Sequence, residues 1–433
     1  MATQQRGFSP HGNCTCYIPE KWFMVCSLSF VFFFGLEASV VKSVASSLFL
    51  TAYSNKLLPW AWFFGVFVNY WIVALYNYLL PIFGCRKMFL ITTSLEISFL
   101  IFSTFLIHLI YWLPFVLYFW KDISILLFFH QMWSLIHATI SSSKAKIFYC
   151  FLCGTNGIGS VIGGIVVSHL ASIFGSQYLL FVCIFSMLMM TIFFSMGMAA
   201  RVKINIKQNL LFQPKNLSFF YNCKVIRNSK LLQLIAYMVF VLQCGSTLLD
   251  YKFNVLIEHK FPVQDSRTAF LGKFFGIVNG CSVIMQFMGG VLFRWIGLKN
   301  ILLGLSGILT CCSCICFNRC TFFCLALFYG NIKSFDYSLF TLTKEMMYIP
   351  LPVDDKFHGK VVIDVFIYRF AKVFASLVIF CFGYVNVFFP SHLEHWMFGL
   401  VMGLFFSWFL AVFFMFHYYD QEMLQKHWDG VSE

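Results

Sequence analysis

Uninterrupted apolar runs of about 20 residues, the length that carries a helix across the hydrocarbon core of a bilayer, recur along this chain from Trp22 to Tyr418. No other feature restricts the fold as strongly. A backbone surrounded by lipid must satisfy its own hydrogen bonds, which leaves helices or a closed barrel. Here the apolar residues are continuous rather than alternating, which argues against a transmembrane barrel. Of 433 residues, 60% are hydrophobic and 11% charged, whereas a soluble domain carries roughly 25% charged residues. A water-soluble globule and a disordered chain are both excluded. The expected class is an all-α polytopic membrane protein.

Twelve spans are read along the sequence: Trp22–Val41, Leu57–Leu80, Met88–Trp112, Ile123–Ile140, Phe148–Ala171, Gln177–Ala199, Leu231–Leu249, Phe274–Phe293, Asn300–Phe317, Thr321–Phe340, Val365–Phe388 and His395–Tyr418. The stretch Leu113–Trp120, next to Pro114, is ambiguous between two of them. The longest basic stretch, Arg201 to Lys230, holds Arg201, Lys203, Lys207, Lys215, Lys224, Arg227 and Lys230 and no acid. It divides the chain into a tail (1–21), a six-helix bundle (22–199), a basic linker (200–230), a second six-helix bundle (231–418) and a second tail (419–433). The tails and even-numbered loops hold 19 Lys+Arg and the odd-numbered loops 8. Basic residues favour the cytoplasmic side, so both termini are expected there, in a plasma (inner) membrane. Two six-helix halves are a major-facilitator-like plan, with substrate between the halves at mid-membrane. The net charge of +13 is then mostly the positive-inside bias, with a smaller share for an anionic substrate, and no nucleic-acid partner is implied. The polar first 21 residues precede an apolar run long enough to span, which does not read as a secretory signal. The expected oligomeric state is a monomer.

Charge inside a bilayer costs at least roughly 2.5–3.5 kcal/mol per group, so such residues face a cavity or pair with one another. The candidates are Glu37, Glu96, Lys333, Asp336, Asp364, Arg369 and Lys372, with Lys42 and Asp250 at the outer ends of the first and seventh spans. Glu37 and Lys42 fit either an end-of-helix residue reaching the interface or a charge facing the central cleft. Lys333 and Asp336 lie three apart on one helical face and read first as a self-neutralising pair. Arg369 and Lys372 share a face in the same way, but two cations cannot neutralise each other. They need an external anion, or an acid such as Asp364, Glu37 or Glu96.

Other features read as packing. Cys311, Cys312, Cys314 and Cys316 point around a helix and do not converge as metal ligands. Cys14 and Cys16 lie in the aqueous tail, where CxC alone is a weak metal or redox signal. His130 and His137 read as packed neutral rings, with a proton relay as the alternative. The run Gly154-Thr155-Asn156-Gly157-Ile158-Gly159 lacks the Lys-Ser/Thr of a phosphate loop, and close helix packing accounts for it. No nucleophile–base pair or HExxH appears in an aqueous segment, so an enzyme is not expected, and no cofactor or metal is implied.

The least apolar part of the second half reads Tyr337-Ser338-Leu339-Phe340, then Thr343-Lys344-Glu345-Met346-Met347-Tyr348-Ile349-Pro350-Leu351, then Gly359-Lys360 and Ile363-Asp364-Val365. This string resembles the YSLF-x-x-(T/C)-KEMAYIPL and GK-x-x-IDV signature of the ATP/ADP translocase family. Lys144 to Tyr149, Leu248 to Lys252 and Phe270 to Phe274 resemble further family segments more thinly. The resemblance implies twelve helices and nucleotide exchange. It places Lys42, Asp250 and Lys344 on charged positions that matter for transport, with Glu345 beside them. The sequence departs from the family where Gln131 replaces a glutamate ahead of Trp133, where Thr341-Leu342 replaces Asp-Pro, and where Ala371 to Ser376 replaces a glycine-rich run. The nucleotide that the resemblance implies carries several negative charges, and basic side chains pair well with phosphate oxygens. Lys42, Lys344, Arg369 and Lys372 come from both halves and are expected to meet in one crevice. A proton-coupled carrier of another small anion or metabolite is the alternative, motivated by Glu37, Glu96 and the two histidines. A membrane protein that transports nothing is a third. With 20% aromatic residues, no single partner for the base can be chosen.

Overall fold

The computed structural model describes residues 18–137, 139–140, 142–203, 225–318, 321–348, 351–352, 359–360, 362–388 and 393–429. Cys14, Cys16, His392, the stretch from Asp354 to His358, and Lys207, Lys215 and Lys224 of the basic linker lie outside the described residues. Every described element is helical. In chain order they are α1 (Ile18–Tyr53), α2 (Leu58–Leu106), α3 (Leu113–His137), α4 (Ser142–Phe174), α5 (Leu180–Lys203), α6 (Lys230–Lys260), α7 (Gln264–Trp295), α8 (Leu298–Asn318), α9 (Phe322–Phe335), a π turn π1 (Asp336–Phe340), α10 (Thr341–Met347), a second π turn π2 (Val362–Ile367), α11 (Tyr368–Phe388) and α12 (Leu393–Asp429). Short 3₁₀ turns at Asn55–Leu57 and Ser176–Leu179 lead into α2 and α5.

Ten described segments are long and apolar enough to cross a membrane. Two features separate this number from the twelve expected spans. The 49 residues of α2 contain the second and third spans together, and at about 1.5 Å per residue they are far longer than one crossing needs. The break is at Gly84, whose φ of 75° and ψ of 160° are non-helical and are open to a residue without Cβ. The expected tenth span, Thr321–Phe340, is made of the 14-residue α9 followed by π1, and α10 continues beyond it. The third span also ends earlier than expected, at Leu106, so that Leu113–Trp120 opens α3. Helices α1 and α6 continue past Val41 and Leu249 to Tyr53 and Lys260. Hydropathy stops at the first charge, but the ladder of backbone hydrogen bonds does not. Lys42 and Asp250 therefore lie inside long helices rather than at their outer ends.

Local chemistry sets several helix starts. Ser229 Oγ accepts from the Leu232 amide ahead of α6, and Thr321 Oγ1 accepts from the Cys324 amide ahead of α9, each satisfying a donor the helix itself cannot. A proline stands in the first turn of α2, where its missing N–H is no loss.

Helix α1 is packed among α3, α4 and α5, while α6 is packed among α9, α11 and α12. Two buried clusters draw on α1 to α5, one around Phe30, Phe89 and Phe194 and one around Val40, Val44 and Leu117. A larger cluster fills the space among α6 to α12 and takes in Phe49, Trp62 and Tyr118 from the first half. Trp71, Leu109, Trp295 and Phe323 point outward with most of their surface exposed, as lipid-facing side chains do. The two sets of helices meet along α4 and α7, with α1 against α7 and α2 against α11. Small residues allow backbone contact there. A Cβ on Gly164 would lie 2.6 Å from Gly276 Cα, and a Cβ on Gly159 would lie 2.0 Å from the Phe32 carbonyl oxygen of α1. The glycine run is thus a packing surface, as its sequence suggests.

Gly159→Ala should push α4 off α1 and lower stability by about 1–3 kcal/mol or more, the usual range for overpacking. Gly290→Ala, where nothing lies within 4 Å, should leave the melting temperature of the purified protein within about two degrees of the wild type, since it adds no clash. Equal melting points for the two variants would contradict this packing.

Candidate functional site

A cavity of about 540 Å³ lies between α2 and α3 on one side and α10, π2 and α11 on the other. Its walls divide by chemistry. The first half contributes Trp62, Asn69, Tyr118, Phe119, Asp122 and Phe129. The second half contributes Lys344, Asp364, Tyr368, Arg369 and Lys372. Trp62 Nε1 donates to Tyr118 Oη at 2.9 Å, which fixes two of the rings. Lys344 Nζ donates to Asp364 Oδ1 at 2.5 Å, joining the signature segment to the start of π2. Lys372 Nζ stands 5.9 Å from the centre of the Tyr368 ring. Arg369 makes no hydrogen bond or ion pair with the described residues. Three of the four cations expected to converge, Lys344, Arg369 and Lys372, thus line one space. Of the acids offered as their partners, Asp364 belongs to Lys344.

Lys42 does not line this cavity. Its Nζ donates to Tyr337 Oη at 3.3 Å and lies 4.1 Å from the centre of the Phe275 ring. It is linked to the cavity through the field of Asp122, which also senses Lys121 and Lys372. Asp250 is held by Tyr329 Oη at 2.8 Å and Asn254 Nδ2 at 2.9 Å, and its charge reaches Lys333 and Lys372. Asp336 accepts from Gln243 Nε2 at 3.0 Å, and Lys333 Nζ sits over the Tyr329 ring. Lys333 and Asp336 share a field, but each leans on a different neighbour instead of closing a simple pair.

Other expected residues go elsewhere. Glu345 pairs with Lys360 at 2.5 Å, and both side chains are about 40% exposed (42% and 41%), so the glutamate forms part of a surface pair outside the cavity. Glu37 and Glu96 are fully buried in the first half. Both Glu37 oxygens lack a hydrogen-bond partner, while Glu96 Oε2 accepts from Trp120 Nε1. Glu37 is therefore neither an interfacial residue nor a wall of the cleft: it is enclosed by the packing of α1 against its neighbours. Gln131 is buried too, donating to Thr92 Oγ1 at 3.1 Å between α3 and α2. It stands outside the cavity walls. The ring of His130 packs edge-on against Tyr76.

Sequence reasoning missed Lys121 and Asp122. The two are joined at 3.0 Å, and Lys121 Nζ rests 3.9 Å from the centre of the Tyr118 ring. They fell beside the ambiguous Leu113–Trp120 stretch. With α3 starting at Leu113, they stand two turns inside a helix, where charge is a functional signal.

One end of the cleft is tied shut. The Asn55 amide and its Nδ2 donate to Glu258 Oε2 at 2.9 and 2.7 Å. Arg267 Nη2 donates to Thr51 Oγ1 at 2.8 Å, and Ser47 Oγ to the Gln264 carbonyl at 2.9 Å. The Ser176 amide and its Oγ donate to Asp265 Oδ1 at 2.8 and 2.5 Å. Each bond crosses from the first half to the α6–α7 corner of the second.

A family model described as TLC ATP/ADP transporter matches residues 108–419. The ADP,ATP carrier protein 1 of Chlamydia pneumoniae is 28% identical over 200 residues, 41% of this chain and 36% of that protein. The ADP,ATP carrier protein 3 of Rickettsia conorii is 25% identical over 303 residues, 60% of each chain. The match thus spans little more than a third of the length of the Chlamydia relative. Among solved structures, the nucleoside transporter NupG, in a mutant form, superposes with a TM-score of 0.63 over 91% of this chain and 99% of its own, at 13% identity. That likeness is one of fold, and it supports the major-facilitator-like helical class. With the family model matched over most of its length, the chain belongs to the TLC ATP/ADP transporter family.

Proposed function

We propose that this protein carries nucleotides across a membrane by alternating access, exchanging ATP for ADP or taking up a related nucleotide. The observation that carries the reading is the cavity shared by Lys344, Arg369 and Lys372 with the aromatic rings of the opposite half. Its volume lies within the roughly 300–1,000 Å³ of small-molecule sites. Phosphates would sit against the second-half cations, where charge-assisted hydrogen bonds are strong. The base would lie among Trp62, Tyr118, Phe119 and Phe129, which offer flat apolar surface. Binding would draw the halves together, because its two ends are held by different bundles. The polar bonds from Asn55, Thr51, Ser47 and Ser176 to the α6–α7 corner would open once per cycle. The remaining assignments accompany this reading: two bundles over 22–199 and 231–418, twelve crossings, a plasma (inner) membrane with cytoplasmic termini, and a monomeric carrier.

A second reading, proton coupling, is favoured by one observation. Glu37 and Glu96 are fully enclosed and in each other's field. Collapse of transport by an uncoupler would support it, and insensitivity would remove it.

Radiolabelled ATP uptake into intact cells expressing the protein tests the main reading. Arg369→Ala and Lys372→Gln should each lower uptake about tenfold or more, the scale of one lost charge-assisted phosphate contact. Exposed Lys299→Gln should stay within about twofold, as surface charges do. Wild-type uptake equal to that of empty cells for every nucleotide would end the proposal.

The tied end gives a separate test. Cysteines at Asn55 and Glu258, introduced into a background without exposed native cysteines, should be joined by a short bifunctional thiol reagent. Transport should then stop and return when the link is cleaved. Undiminished transport by the linked protein would mean that this end does not open during the cycle.

A further inference from the structure

Six cations, Lys42, Lys121, Lys333, Lys344, Arg369 and Lys372, are gathered in and around the cleft with four carboxylates, Asp122, Asp250, Asp336 and Asp364. Three of those carboxylates are engaged within the second half. Asp364 is bound to Lys344, Asp336 to Gln243, and Asp250 to Tyr329 and Asn254. Asp122 differs from them. It is the carboxylate that the first half presents to the cavity, its side chain is 47% exposed there, and its charge reaches Lys372 and Lys42. Its bonded neighbour, Lys121, is 6% exposed and pinned against Tyr118. Asp122 thus hangs from a fixed base and faces cations of the opposite half.

We propose that Asp122 is an internal counter-anion, which offsets part of the charge of the cavity cations when the carrier is empty and competes with the phosphate groups of the substrate for them. The inference rests on the reading of this cavity as a phosphate site and adds to it a reason for the carrier's balance between exchange and net uptake. Enclosing uncompensated cations in a closed cleft is strongly unfavourable. A carrier with no counter-anion resets only with substrate on board and is a strict exchanger. Asp122 lowers the excess of cations over carboxylates from three to two, which eases the empty carrier through the closed state. When phosphate arrives, it takes over Lys372 and leaves Asp122 with Lys121.

Inorganic pyrophosphate binding to the purified full-length protein reads the competition directly. Asp122→Asn should tighten pyrophosphate about tenfold, because one repelling charge leaves a weakly screened site. Asp122→Ser should do the same, and Asp122→Glu should keep wild-type affinity. In a Lys372→Gln background the gain from Asp122→Asn should shrink to less than about threefold, since the two residues then no longer share an interaction. Unchanged or weaker pyrophosphate binding by a folded Asn or Ser variant overturns the proposal. In proteoliposomes, the ratio of exchange into nucleotide-loaded vesicles over net uptake into empty ones should rise at least about tenfold in Asp122→Asn, as the empty cleft loses its counter-charge. An equal fall of both activities, as from a merely structural defect, also overturns it. Absence of any wild-type nucleotide transport would sink the nucleotide reading while leaving the pyrophosphate comparison decisive for Asp122.

Discussion

Lipid cannot solvate charge, and the rest of the molecule is arranged around that constraint. A chain with many apolar helices and several ionisable residues inside them must bring those residues together, away from the hydrocarbon. Here they gather where the two sets of helices face each other. Lys42, Lys121, Lys333 and Lys372 sit within the fields of Asp122, Asp250 and Asp336. Aromatic faces under Lys42, Lys121 and Lys333 add cation–π attraction. The outer surface keeps the opposite composition, with bulky apolar side chains standing free. Cleft and lipid face are two consequences of one solvent.

Close helix packing makes the cleft possible. Gly164 brings α4 against Gly272 and Gly276 of α7, and Gly159 and Gly163 bring it against α1. This leaves α2, α3 and α11 on the other flank to enclose the cavity. The two sets of helices thus share a tight seam on one flank and a cavity on the other. The polar ties are two hydrogen bonds each at Glu258 and Asp265 and one at Arg267, individually weak enough to exchange for water.

Much of this was legible in the sequence. The all-helical class and the family followed from apolar runs and from the string around Lys344. Arg369 and Lys372 stood out as two cations sharing a helical face with no partner, and Lys344 through the string that resembles the family. The failures share a cause, because one-dimensional hydropathy says how far a residue is from a charge but not which neighbour it meets. Glu37 and Glu96 are as unusual in the sequence as Arg369, yet they turn inward to the first-half core rather than to the cleft. Lys121 and Asp122 were overlooked because the expected fourth span begins at Ile123, just past them, whereas α3 begins at Leu113. Lys42, which fitted either the interface or the cleft, meets Tyr337 and Phe275 and does not line the cavity. The count of spans suffered at Gly84 and at π1, where a helix is broken or widened without losing its apolar character.

The π turn at Asp336–Phe340 has a geometric consequence for the charges on either side of it. Lys333 and Lys344 are eleven positions apart, and in a regular α-helix that spacing returns almost to the same stripe, about 20° off after three turns. A π turn holds one residue more than an α turn, which rotates everything after it by about 100°. The two lysines are thereby sent to different neighbours, Lys333 toward Tyr329 and Lys344 toward Asp364. One continuous rod serves two charge clusters because it is wound slightly wrong at its middle. The length of the Tyr337-Ser338-Leu339-Phe340 stretch is therefore as much a part of its meaning as the identity of its residues.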